Sequence, residues 1–324
     1  MIRNNYIGLL FLSVVMAVIP LFISNVYYLS ILIFIGIYSL ITIGLSLLMG
    51  YAGQISLGHA AFFGLGAYAS GILTTRLNIA PIPAAIIACL FTGLVAFLIA
   101  VPTLRLRGHY LAMATLGFGQ IIYVVFNAWI KLTGGPSGFG DIPRIRLAGI
   151  CFDSDFKYFY LVWSVVLVGF LLAIHIVHSR IGRALRALHS SEEAAGTLGI
   201  NTSRYKIEIF VVSTMYASIA GSLYAHFVTF LSPESFGISF SILLVTMVVF
   251  GGRFSVWGAI LGAAVLFSLP EYLRVARDYD VLIYGVVLLL VVMFLPGGLA
   301  GWLDGMARRI SLLFISRAPK RMKC

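Results

Sequence analysis

The sequence predicts an all-α fold, a polytopic transmembrane helix bundle of about ten spans with both termini cytoplasmic. Three observations carry that class. Hydrophobic residues make up 61% of the 324-residue chain and charged residues 10%, with a mean hydropathy of +1.04. A soluble domain of this length needs far more polar surface. Charge-free runs of spanning length recur along the chain, and its basic residues fall mostly on one side of those runs.

A membrane-spanning helix needs about 20 apolar residues. Runs of that order are Tyr6 to Ser24, Tyr28 to Met49, Ile82 to Val101, His109 to Ile130, Tyr158 to His178, Ile209 to Leu231 and Val281 to Gly298. Gln54 to Thr75 is a less regular candidate, and Ile238 to Pro270 is divided by Arg253 into two short spans. Arg3 followed by an apolar run fits the beginning of a signal peptide. The run is long for one, and no A-x-A-like site follows Ser24, so an uncleaved first span is expected.

With the N-terminus inside, fifteen Lys and Arg lie on the inner side and seven on the outer, against four and seven Asp and Glu. The inner set includes Arg105, Arg107, Arg180, Arg183, Arg186, Arg204, Lys206 and the tail from Arg308 to Lys323; the outer set includes Arg274 and Arg277. The net charge of +11 is therefore a one-sided excess. That is the positive-inside pattern of a membrane protein, and it argues against a nucleic-acid surface. Cys89, Cys151 and Cys324 are scattered, with neither disulfide nor metal-ligand spacing. The domain reading is one transmembrane domain over 1–298, with residues 179–206 as a cytoplasmic loop, and a basic cytoplasmic tail over 299–324.

Two non-spanning segments are long. Leu132 to Lys157, on the outer side, is rich in Gly, Pro and Asp and reads as turns. The inner loop Ser179 to Lys206 reads differently. Ile181, Leu185 and Leu188 recur at helical spacing opposite Arg183, Arg186 and His189, which predicts a surface amphipathic helix. Ser190 or Ser191 can cap a second short helix, Glu192 and Glu193 favour its first turn, and Leu198 and Gly199 close it.

The stretch Gly50 to Gly71, GYAGQISLGHAAFFGLGAYASG, holds six glycines. Together with the pairs Gly66/Ser70, Ala217/Gly221 and Gly258/Gly262, it indicates helices whose backbones approach closely. Gly50 and Gly53 around Gln54 permit a broken start to the span, which the bilayer tolerates only where backbone is buried or lines a cavity. Close packing alone, or packing together with the lining of a translocation path, are both open. On the second reading Phe62 and Phe63 supply apolar walls, and Gln54, Ser56 and His59 polar contacts.

Several chemistries are missing from the sequence. No Asp or Glu precedes Asp141, and no carboxylate falls mid-span, which argues against a proton-driven carrier. Sodium sites built from carbonyls and hydroxyls remain open. None of the five lysines follows a glycine, so no phosphate-binding G-x-x-x-x-G-K-[ST] motif exists. His175 and His178 read as interfacial histidines without a further nearby ligand, and His59 as a hydrogen-bonded interior histidine. No catalytic or metal constellation and no cofactor site is read. A bundle without an engine of its own is passive or driven by a partner.

GYAGQISLGHAAFFGLGAYAS, IGRALRALHSSEEAAGTLGINTSRYK and VVFGGRFSVWGAILGA, in that order, resemble the permease subunits of bacterial high-affinity branched-chain amino acid importers of the ATP-binding cassette class, of the LivM type. The resemblance covers about Ile31 to Gly298. Glu193, Ala194, Ala195 and Gly199 fit the E-A-A-x-x-x-G core of importer permeases, and the resemblance makes that segment the coupling helix seated in an ATPase groove. The downstream Ile and Leu-Pro of the wider motif are replaced by Ser203 to Ile207, and Arg253-Phe254 departs from the usual late G-rich motif. The resemblance implies an all-α subunit in the bacterial inner membrane, without ATP site or cofactor. Its implied partners are two ATP-binding subunits, a sister permease and an extracytoplasmic solute-binding protein, and its implied cargo is Leu, Ile or Val. Permeases for urea, short amides or other amino acids are alternatives, as is an ion-coupled or facilitative carrier.

Overall fold

Charge-free stretches become helices here because a backbone in an apolar environment must satisfy its own N–H and C=O groups. The computed structural model describes residues 2–23, 25–104, 106, 108–147 and 150–273, with scattered positions between 285 and 305. Arg105, Arg107, Arg274, Arg277 and Cys324 lie outside the described residues, as do most of the expected span Val281 to Gly298 and of the tail.

The order is α1 (Ile2–Phe22), α2 (Val26–Ser46), α3 (His59–Arg76), α4 (Pro81–Thr103), α5 (His109–Ala128), α6 (Ile130–Thr133), α7 (Asp155–His178), α8 (Arg180–Ser190), α9 (Glu192–Thr197), α10 (Thr202–Val228), α11 (Ile238–Gly251) and α12 (Val256–Leu273). A π-helical turn, Leu47–Tyr51, extends α2. With that extension α2, and with it α4, α5, α7 and α10, are long and apolar enough to cross a membrane; parts of α1 and α12, and α11, are shorter apolar helices. Arg253 separates α11 from α12, as the sequence predicts. The loop from Leu132 to Lys157 holds more order than its turn residues announce: β1 (Arg146–Leu147) pairs antiparallel with β2 (Ile150–Cys151), and Phe139 bridges to Leu231.

The helices of one end are tied by the π turn, α8, α9 and the α11–α12 turn. Tyr51 donates its hydroxyl to the Phe254 carbonyl at 3.0 Å. The hairpin marks the opposite end, where Arg76 donates to the carbonyls of Lys131 and Leu132.

The core lies around α10, which packs on α2, α3 and α4. Lipid is as apolar as a leucine side chain, so close packing and interhelical hydrogen bonds have to hold these helices together. Both are present. A Cβ at Gly221 would stand 2.0 Å from the Phe63 carbonyl oxygen, and one at Gly66 2.4 Å from that of Ser218, so α3 and α10 meet backbone to backbone. Ser218 donates to the Ala88 carbonyl (3.2 Å), Tyr216 to Gly169 (2.7 Å) and Tyr158 to Leu223 (2.6 Å). α3 is less hydrophobic than α2, α4, α5 and α7, and neighbouring helices surround it: His59, Phe62, Phe63, Gly66 and Ser70 are all buried.

Candidate coupling and translocation site

α9 is short enough to need help at both ends, and its sequence supplies it. Ser191 caps the start, its Oγ accepting from the Ala194 amide at 3.2 Å, and Glu192 and Glu193 occupy the first turn, where the helix dipole favours them. At the far end Gly199 takes a left-handed conformation, φ +81. The Ile200 amide donates to Ala195 (3.1 Å) and the Gly199 amide to Gly196 (3.0 Å), closing a Schellman motif. Of the two candidate caps, Ser191 is the one used. The side chains divide by face: Glu193, Ala194, Thr197 and Leu198 are exposed, whereas Ala195 points inward, 2% exposed. Ala195 is thus a packing residue, and the exposed face is carried by Glu193, Ala194 and the turn at Gly199.

α8 lies alongside, burying Ala184, Leu185 and Leu188. Ile181, expected on that face, is 39% exposed, because the chain turns sharply at Ser179 and Gly182 takes the inward position over the Val177 carbonyl. Lys206 near the start of α10 is buried and reaches Glu192 at 2.5 Å, which ties α9 to the bundle.

The broken start expected around Gln54 is observed. α3 begins only at His59, so Gln54 and Ser56 sit on the irregular segment before it rather than on the helix. That segment is fastened from three sides. The Leu57 amide donates to Thr115 Oγ1 of α5 (3.0 Å), and the Ala60 amide to Ser241 Oγ of α11 (3.2 Å), so a hydroxyl from another helix caps α3. His59 has its Nδ1 3.0 Å from Ser56 Oγ and its Nε2 2.7 Å from Ser213 Oγ of α10. The interior, hydrogen-bonded reading of His59 describes its place.

The family model described as the branched-chain amino acid transport system / permease component matches residues 27–292, from the start of α2 past the end of α12. The chain belongs to that permease family. It is 34% identical over 286 residues to the high-affinity branched-chain amino acid transport system permease protein LivM of Escherichia coli (strain K12), an alignment covering 81% of this chain and 67% of the relative. It is 32% identical, with the same coverage, to the LivM protein of Salmonella typhimurium. To the LivH permease protein of Escherichia coli (strain K12) it is 27% identical over 82% of this chain and 91% of the relative. No solved structure matches. Membership makes the protein a multi-pass membrane permease, a transport subunit rather than an enzyme.

Within the permease, the expected path residues fall in two places. Gln54 lines a cavity of about 180 Å³ at the α8–α9 end, facing His189, Glu192 and Lys206 on its polar side and Leu111 and Leu188 on its apolar side. Both amide atoms of Gln54 are buried without a hydrogen-bond partner among the described residues, as is Nδ1 of His189. Burial, and after it the Arg253 guanidinium, hold the His189 imidazole below its usual range. Phe63 instead floors a separate cleft of about 330 Å³ between α2, α3, α10 and α11. Ser56, His59 and Phe62 line neither and are buried, at 1%, 1% and 0% exposure, as is Phe63 at 1%.

His175 and His178 turn their Nδ1 atoms to the carbonyls one turn back, Leu171 (3.0 Å) and Ile174 (2.9 Å). Lys206, Ser213, Ser241, Thr115, His226 and the cleft residues Tyr38 and Tyr224 were not legible from sequence. Each acts through a partner more than fifty residues away or, for Lys206, through a burial that its basic neighbourhood concealed. His226 is the exception that left a trace, as a histidine in a span. Its Nδ1 faces the Pro143 carbonyl at 2.7 Å, a pure acceptor, so Nδ1 carries the proton and Nε2 accepts from Ser70 (2.8 Å).

Proposed function

We propose that this chain is the permease subunit of an ATP-binding cassette importer that moves branched-chain amino acids (Leu, Ile or Val) inward across the cytoplasmic membrane of a bacterium. Its working complex contains a sister permease, two cytoplasmic ATP-binding subunits and an extracytoplasmic solute-binding protein. The chain makes about ten spans, both termini are cytoplasmic, and the α8–α9 end faces the cytosol.

The observation that carries this reading is the construction of α9. It is capped at both ends, exposed on the Glu193 face, and lashed from behind to α10 by the Lys206–Glu192 pair. A push on such an element passes to α10, and from α10 to the start of α3 through Ser213 and His59. Glu193, Ala194 and Gly199 form the coupling surface, with Ala195 as its inward anchor. Gln54, Ser56, His59, Phe62 and Phe63 lie along the path, all buried, with a cavity beside Gln54 and a cleft beside Phe63. Nucleotide shifts the bundle between outward- and inward-facing states through its differential contacts with the two.

Reconstitution tests this. Proteoliposomes holding this chain, the sister permease, both ATPases and loaded binding protein should concentrate leucine only with internal ATP. Accumulation by this chain alone, or a label on the Ser190 to Gly199 segment reactive only from outside, would overturn it.

A further inference from the structure

We propose that the cleft between α2, α3, α10 and α11 binds the transported α-amino acid, with Glu234 holding its ammonium group and Phe63, Phe240 and Leu243 its apolar side chain. The proposal rests on the amino acid reading above and adds to it a location and an orientation.

The cleft is lined by Tyr38, Phe63, Tyr224, Glu234, Ser235, Ser239, Phe240 and Leu243. Its volume of about 330 Å³ lies at the small end of ligand pockets, suited to a solute of amino acid size. Its walls are built rather than accidental. Phe63 stacks at 5.2 Å from Tyr224 and 5.3 Å from Phe240, and Tyr38 at 5.3 Å from Phe240. Glu234 and Ser235 sit on a single 3-10 turn, Pro233–Phe236. Phe236, 2% exposed, nails that turn between Phe63 and Tyr68, each 5.5 Å away. The carboxylate is therefore presented by a fixed element over an aromatic floor.

What it is presented to is settled by charge. Among the described residues no cation or donor engages the Glu234 side chain, and no Lys or Arg lines the cleft. Among the described residues, carboxylates in two other polar clefts share space with a cation: Glu192 with Lys206, and Asp155 with Arg144 at 3.6 Å. Among the described residues, a carboxylate without a cation partner and several aromatic rings meet in this cleft, and both attract an ammonium group. The hydroxyls of Ser235, Ser239, Tyr38 and Tyr224 can donate to the ligand's carboxylate. The two phenylalanines and Leu243 accept an aliphatic side chain without any group that demands a hydrogen bond. Glu234 is exposed, so water screens its attraction and the hold is weak, as a step in transport requires.

The test uses the assembled transporter, this chain with its sister permease and ATPases, in detergent and without binding protein. Tritiated L-leucine should bind, isoamylamine should compete, and 4-methylpentanoate, which lacks the ammonium group, should not. E234Q should weaken leucine binding severalfold and E234D should retain most of it, with both variant complexes eluting from gel filtration as the wild type does. Unchanged leucine binding in E234Q, equal competition by the acid and the amine, or no leucine binding by the wild type would each overturn the site. The parent reading is judged separately, by whether the wild-type complex with binding protein accumulates leucine in proteoliposomes.

Discussion

Lys206 Nζ and Glu192 Oε1 stand 2.5 Å apart, and the lysine side chain is 8% exposed against 27% for the glutamate. The pair joins the six-residue α9 to a 27-residue helix through the core of the bundle. The two partners differ in what their loss leaves behind. E192Q strands a buried ammonium group and should cost on the order of 3 kcal/mol. K206M leaves a carboxylate that can turn to water and should cost about 1 kcal/mol. Thermal unfolding of the purified complex gives the order, and the reverse order would show that Glu192 is the more deeply held partner.

Glu193 is on the exposed side of the same helix, so its role should separate from folding. E193A should lower stability by no more than about 1 kcal/mol, the worth of a first-turn charge. Leucine uptake should nevertheless fall to background, with ATPase subunits no longer recruited. Normal recruitment in a pull-down of E193A would remove this residue from the coupling surface.

The α3–α10 contact should tolerate no added atom. G221A places a methyl group 2.0 Å from the Phe63 carbonyl oxygen, with backbone on both sides and nothing flexible to yield. About 3 kcal/mol or more should be lost, read as a fall in folded yield and melting temperature. G117A, on α5 with nothing within 4 Å, is the control and should be neutral or slightly stabilising.

That contrast shows what the sequence could and could not convey. Charge-free runs and small-residue intervals were enough for the helices, for the division at Arg253 and for the close approach at Gly66 and Gly221, because each depends on neighbours within a few turns. The α9 segment was legible down to its Gly199 cap for the same reason. The pairing of His59 with Ser213, the capping of α3 by Ser241 and the cleft at Glu234 depend on which helices meet, and local pattern does not encode that. Glu234 follows the run Ile209 to Leu231 in the sequence, and nothing in its neighbourhood there places its turn beside Phe63 and Tyr224.

His189 supplies a pH dependence. Its folded-state pKa lies below its ordinary value of 6.5, first through burial and then through Arg253. The neutral ring is therefore the one the fold accepts. The stability this contributes is present above about pH 6.5 and is lost as pH falls through that value toward the lower folded pKa. The ring stands edge-on to Phe254 at 5.3 Å and shares its cavity with Glu192 and Lys206. H189Q should flatten the fall in melting temperature between about pH 7.5 and 5.5 relative to wild type. An unchanged slope would place the acid sensitivity elsewhere.

Gln54 should separate stability from transport. Its amide is 5% exposed, and neither of its polar side-chain atoms has a partner among the described residues. A buried amide in that condition costs about 1–3 kcal/mol, and selection for folding alone would replace it. Q54L fills similar space without the polar atoms, so the assembled complex should melt at a higher temperature than wild type. If the amide serves the path by engaging the solute's polar groups near the cytosolic exit, the same variant should take up leucine several-fold more slowly. A stabilised variant with unchanged uptake would take Gln54 off the path, leaving the cavity beside α9 as a mechanical gap between moving parts.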